Sequence, residues 1–196
     1  MQNITNNEML FVLSIFKNSE KEYNANSIAK HLGISSMGAL KIAQRLETEG
    51  VIVSKKYGKA RFFKINFDND YVRHYLKFLL KRESEQALPY LKVWIREIRK
   101  IKNADAAILF GSVLRKQNEA KDIDIILITD QKRFDKLKKE IEKINFVNIK
   151  KLHPIYQTRN DLINNIRKED KPVLNAIKGL VVFGEDIIIK LFEKLK

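Results

Sequence analysis

ILFGSVLRKQNEAKDIDIILI, residues 108–128, places two apolar runs on either side of a polar connection. Ala104–Phe110 reads as a buried strand that ends at Gly111-Ser112, and Ile123–Ile128 as a second strand entered through Asp122 and Asp124. Residues two apart in a strand share a face, so the two carboxylates project together. Adjacent carboxylates repel each other unless a cation lies between them. An all-oxygen donor set of this kind suits Mg²⁺, which also takes phosphate oxygens from a nucleotide. Gly111 allows close backbone approach after the first strand. The amide and hydroxyl of Ser112 can hold phosphates, and Arg115, Lys116 or Lys121 can neutralise further phosphate charge. The chemistry this set offers is in-line attack on an α-phosphate, with metal-stabilised attacking and leaving oxygens.

Toward the C-terminus, residues 131–144 alternate Lys and Glu with Phe134, Leu137 and Ile141, an amphipathic helix. Phe146–Leu152, FVNIKKL, reads as the third strand, and it holds no acid, only Asn148, Lys150 and Lys151. Helices follow at 159–169 and 171–178, then a short strand Val181–Phe183 and a terminal helix 185–196. Asp161, Asp170, Glu185 and Asp186 fall in these helices or their turns. His153 precedes Pro154 and reads as a turn residue. His31 and His74 form no ligand set with it.

Toward the N-terminus, residues 8–18 read as a helix with Met9, Val12, Leu13 and Phe16 on one face. Asn26 reads as the cap of a second helix that stops at Gly33. Ser35 or Ser36 caps a third, which runs to about Glu49 before Gly50. Two strand-like runs, Val51–Lys56 and Ala60–Phe67, flank a turn at Tyr57-Gly58-Lys59. Three short helices and a hairpin make a winged helix-turn-helix pattern. The hairpin carries Lys55, Lys56, Lys59, Arg61 and Lys64 and no acid, which suits phosphate contacts. Ser35, Ser36, Lys41, Gln44 and Arg45 on the third helix are types that donate to base edges. Winged helices also serve as RNA-binding, protein-interaction or dimerisation modules. Asp68 caps a helix at 69–83 and Pro89 starts another at 88–101. Tyr75, Tyr90 and Trp94 pack there or form a dimer surface. The parts are then 1–67, a helical connector 68–102, and 103–196, with the boundary near 84–103.

Net charge is +14, which fits a polyanionic partner such as DNA, or equally a chain rich in Lys, Ile and Asn. The absence of cysteine excludes disulfides and thiolate metal sites. No apolar run reaches membrane-spanning length. The stretch Met1–Asn7 is polar and lacks a basic leader region. The expected location is the cytoplasm, with no membrane partner.

Gly111-Ser112, followed about ten residues later by Asp122-Ile123-Asp124 entering a strand, resembles the minimal nucleotidyltransferases of the DNA polymerase β superfamily. The resemblance implies an α/β (α+β) fold: an N-terminal winged helix and a polymerase β-like domain with a mixed sheet. It also implies that Gly111 and Ser112, with Arg115 and Lys116, bind a nucleoside triphosphate. Asp122 and Asp124 would be the catalytic metal ligands, with Mg²⁺ as cofactor. Winged helix plus minimal nucleotidyltransferase resembles archaeal and bacterial proteins in toxin–antitoxin-like settings, where the acceptor is a protein. Active members carry a third carboxylate on a later strand, which FVNIKKL lacks. Two readings therefore stand. One is an Mg²⁺-dependent enzyme passing a nucleoside monophosphate to a macromolecule. The other is a DNA-binding transcription regulator whose nucleotidyltransferase fold senses nucleotide or mediates assembly. A protein-interaction adaptor is a third.

Overall fold

The structure, a computed structural model, describes residues 4–18 and 20–195. Residues 1–3 of the polar N-terminal stretch lie outside the described residues, as does Lys196 at the end of the expected terminal helix. The chain divides into two compact units, Met1–Leu79 and Leu80–Lys196.

The first unit begins with helix α1 (Asn6–Lys17). It starts earlier than its apolar periodicity suggests, because Thr5 and Glu8 form a reciprocal capping box. A two-residue strand, β1 (Tyr23–Asn24), precedes α2 (Ala25–Leu32). Asn24, not Asn26, is the cap of α2, bonded to the Ser27 amide. Gly33 closes α2 in the left-handed conformation. Ser35 caps α3 (Ser36–Thr48). Strands β2 (Ile52–Tyr57) and β3 (Ala60–Ile65) form an antiparallel hairpin, and β1 adds to its other side in the order β1-β3-β2. This is the winged-helix order. Its core joins Phe11, Val12 and Phe16 of α1 to Ile28, Ala43, Leu46, Ile52 and Phe63. The rings of Phe11 and Phe63 are 5.7 Å apart. Helix α4 (Asp70–Glu85) follows, and the division between the units falls within it.

In the second unit α5 (Pro89–Ile98) leads to β4 (Ala106–Phe110), a one-turn helix α6 (Val113–Lys116) and β5 (Ile123–Ile128). Helix α7 (Phe134–Val147), β6 (Leu152–Gln157), α8 (Arg159–Arg167), α9 (Lys171–Ala176), β7 (Leu180–Phe183) and α10 (Glu185–Glu193) complete it. The sheet order is β6-β5-β4-β7. β4 is antiparallel to both β5 and β7, and β6 is parallel to β5, so the sheet is mixed. Alternation gives it two faces. Ala107, Leu109, Ile123, Ile125, Leu127 and Leu152 pack with Trp94 and Ile98 of α5 and Leu137 and Ile141 of α7. Phe110, Asp124 and His153 fall on the opposite face.

One element corrects the sequence reading. FVNIKKL, expected as the third strand, is the last turn of α7 and a loop; the strand is Leu152–Gln157, LHPIYQ. Phe146 and Val147 suit a strand by propensity. The amphipathic period of α7 nevertheless runs on through buried Ile144, and Asn145 ties the helix end to Leu152 through both its amide groups. Pro154 is tolerated because β6 is an edge strand.

Candidate functional site

Asp124 stands second in β5, a central strand, directly opposite Phe110 of β4 and His153 of β6. Gly111, immediately after β4, has φ +82. A Cβ there would collide with the Asp124 carboxylate, so glycine is required both by backbone conformation and by the carboxylate packed on it. The Gly-Ser turn and the second aspartate are thus built against each other. Ser112 is the N-cap of α6 but makes no side-chain cap bond.

Ser112, Lys116, Glu119, Ala120, Lys121, Asp122 and Asp124 line one cleft of about 250 Å³. Arg115 is exposed and does not line it. The other side of Asp124 opens onto a broader concavity of about 410 Å³, shared with Phe110, His153, Pro154 and Ile155. Burial pushes the Asp124 carboxyl above its ordinary value; His153 opposes that rise and the like charge of Asp122 adds to it. Two carboxylates in one cleft, partly desolvated and repelling, favour a cation between them. Among the described residues no three His, Cys, Asp or Glu side chains are grouped closely enough to hold a metal. The two aspartates still fit Mg²⁺, which is commonly held by one or two carboxylates and completed by phosphate oxygens and water.

The residues expected to touch DNA divide into two sets. On α3 the expected Lys41 and Gln44 lie in an exposed row at helical spacing, which Met37 and Thr48, not among the expected residues, extend at either end. Met37, 62% exposed, escapes a reading of the sequence, where a lone apolar residue looks like core. Ser36 is exposed at the start of the same helix, while Ser35 is occupied by its cap bond to Gly38. Arg45 departs from its expected place on the free polar side. Its guanidinium bonds to Glu8 at 2.6 Å and Glu49 at 2.9 Å, and its side chain is only 28% exposed. In the hairpin, Arg61 is held by Glu47 and Ser54. Lys55 lies over the Tyr57 ring, and Lys56 and Lys59 are exposed near the tip.

A second charged cluster lies at the far end of the sheet. Arg133 bonds to Asp105 at 2.7 Å and to Asp130 at 2.8 Å, and Arg159 bonds to the other Asp105 oxygen at 2.8 Å. Burial alone would raise the Asp105 carboxyl, but the two guanidinium groups outweigh it and hold it below its ordinary value. All the partners are satisfied within the fold, so this cluster fastens the ends of β4, β5 and β6 together.

Residues 94–184 match the family described as polymerase beta, nucleotidyltransferase. The match runs from Trp94 in α5 to Gly184 after β7 and contains the whole Asp122/Asp124 cleft. The architecture is therefore a winged helix followed by a nucleotidyltransferase domain. No curated protein matches the chain. Among solved structures it is similar to the adhesin competence repressor AdcR of Streptococcus pyogenes, at 17% identity over 52% of this chain and 70% of that one, with a TM-score of 0.37. At that score the winged helix rests on its own helix and strand order.

Proposed function

We propose that the nucleotidyltransferase domain binds a nucleoside triphosphate with Mg²⁺ and transfers its nucleoside monophosphate to a macromolecular acceptor, a protein, while the winged helix binds DNA. The observation that carries this reading is the packing of the Asp124 carboxylate on Gly111, which brings Ser112, Lys116, Lys121 and Asp122 to the same cleft. Asp122 and Asp124 would hold the cation, which supplies charge neutralisation at the reacting phosphate. The Ser112 hydroxyl would receive phosphate oxygens, and Lys116 and Lys121 would offset their charge. An acceptor hydroxyl forms a bond to the α-phosphorus as the bond to the bridging oxygen breaks. Pyrophosphate leaves and the hydroxyl proton passes to solvent. The exposed row Met37, Lys41 and Gln44 would face base edges, with Lys55, Lys56 and Lys59 against phosphates.

A second reading has a specific observation in its favour: β6, LHPIYQ, carries no carboxylate. Without a third acid the domain would bind nucleotide and regulate through the winged helix, with no transfer. The two readings separate on incubating the full chain and cell-extract proteins with α-³²P- or γ-³²P-labelled triphosphates and Mg²⁺. Transfer puts label on protein from the α position only, and not with Asp122→Ala/Asp124→Ala. Nucleotide binding with no labelled protein selects the regulator.

A further inference from the structure

The polarity usual for a loop is inverted between α7 and β6. Phe146, Val147 and Ile149 are 89%, 73% and 98% exposed, while their polar neighbours are spent on bonds within the fold. The Asn145 side chain holds both backbone groups of Leu152, and the Asn148 side-chain amide donates to the Ile144 carbonyl. The Lys151 ammonium donates to the Asn145 and Asn148 carbonyls. The Lys150 ammonium donates to the Asn118 carbonyl and lies over the Tyr90 ring of α5. Four polar side chains brace the turn and leave three apolar ones at its tip. Side chains of this size make an exposed apolar patch on the order of a few hundred Å², the size that marks interaction sites. A braced turn has less conformational freedom to lose when a partner binds.

The turn is attached to the wall of the Asp122/Asp124 cleft. Helix α7 joins two parallel strands, so its C-terminal end returns to the end of the sheet where β5 begins. There the Ile123 amide donates to the Lys151 carbonyl at 3.0 Å, and Asn118, held by Lys150, directly precedes Glu119, Ala120 and Lys121 of the cleft. Along α7 the exposed Lys136, Lys139 and Lys143 lead to Phe146 and Val147 on a single helix face, at i, i+3, i+7, i+10 and i+11. Asp135 and Glu142 flank that face, yet none of the three lysines makes an ion pair among the described residues. We infer that this face is the docking surface for the protein acceptor, and that the acceptor meets it with an acidic surface carrying apolar side chains. The inference rests on the transfer reading of the adjoining cleft and adds the chemistry of its acceptor. Unpaired lysines call for acid opposite them. One phenyl ring beside two aliphatic side chains suits a protein pocket, whereas single-stranded nucleic acid calls for successive aromatic platforms.

The test uses the full chain, labelled α-³²P nucleoside triphosphate with Mg²⁺, and the protein that takes up label in cell extract, purified. Transfer is measured against acceptor concentration for Phe146→Ser/Ile149→Ser and for Lys136→Glu/Lys139→Glu/Lys143→Glu. The acceptor KM is expected to rise at least about tenfold in both, with kcat at saturating acceptor and the Kd for nucleotide unchanged. Lys136→Arg/Lys139→Arg/Lys143→Arg keeps the charge and should keep the native KM. Added salt should raise the native KM and leave that of the glutamate variant nearly flat. Circular dichroism checks that each variant is folded, which substitution of exposed side chains allows. An acceptor KM unmoved in either variant overturns the inference, as does a fall in nucleotide affinity, which would place the effect in the cleft. So does weaker binding of single-stranded or duplex nucleic acid, read by anisotropy, with KM unmoved. All three results leave the nucleotide site standing. If the native chain labels no protein, the inference and the transfer reading both fall.

Discussion

Asp124 carries the tension of the site in one side chain. Its carboxyl is raised by burial first and by Asp122 second, so the folded chain holds its proton more tightly than the unfolded chain does. Between the ordinary value and the folded one the native state binds the extra proton, and stability falls as pH rises through that window. Above it the ionised group is a standing cost. Asp124→Asn is therefore expected to raise the thermal midpoint of the second unit at neutral pH and to abolish cation-dependent nucleotide binding; differential scanning calorimetry and titration read the two effects. Asp105 has the opposite sign, since its lowered carboxyl contributes stability above the ordinary value that is lost as pH falls through the folded one. At Gly111 an added methyl meets both a positive φ and the Asp124 carboxylate. Gly111→Ala is expected to cost about 1–3 kcal/mol in urea unfolding and to remove nucleotide binding. Gly111, Ser112, Asp122 and Asp124 are legible in the sequence because strand ends and i, i+2 spacing are local. His153 reads as a turn residue but stands in β6 beside Asp124, a neighbour 29 residues away in the chain.

Elements are legible where one period dominates. The apolar faces of α1, α3 and α7 and the hairpin strands follow from spacing alone; the ends of α1 and α3 move by only a residue or two, while those of α7 move by three. The third strand is misplaced by sequence because Phe146 and Val147 have strand propensity while an amphipathic helix extends through them. Arg45 shows the same limit on the first unit, since only the fold brings Glu8 of α1 to it. In the proposed reading α3 and the hairpin of this unit would have separate roles. In the proposed DNA complex Lys55, Lys56 and Lys59 would supply phosphate contacts, and each such contact contributes about 0.9 to the slope of log affinity against log salt. Replacing all three by Ala is expected to lower that slope by about 2–3 and to weaken specific and nonspecific DNA alike, as fluorescence anisotropy over a salt series would show. An unchanged slope would remove the hairpin from the interface.

The whole molecule joins two units that each have a core of their own, one around Phe11 and Phe63 and one around the mixed sheet. Ligands bound by one unit stabilise that unit by mass action, about 2.7 kcal/mol at a hundredfold excess over Kd. Two thermal transitions are expected, with nucleotide and cation raising one and duplex DNA the other. A segment spanning 68–196, which keeps α4 intact, should reproduce the nucleotide-sensitive transition alone. Net charge of +14 is legible from composition, but its use is not. The placement of Lys116 and Lys121 in the cleft, and of Lys56 and Lys59 on the hairpin, is what gives it candidate partners. The central claim is that Asp122 and Asp124 with the Gly111-Ser112 turn make a nucleotide–cation site. Calorimetric titration of ATP, GTP, CTP and UTP, with and without divalent cation, tests it directly on the native chain and on Asp122→Ala/Asp124→Ala. The expected result is cation-dependent binding of at least one nucleotide, lost in the double variant; no binding of any of the four, or binding that survives the loss of both aspartates, would contradict it.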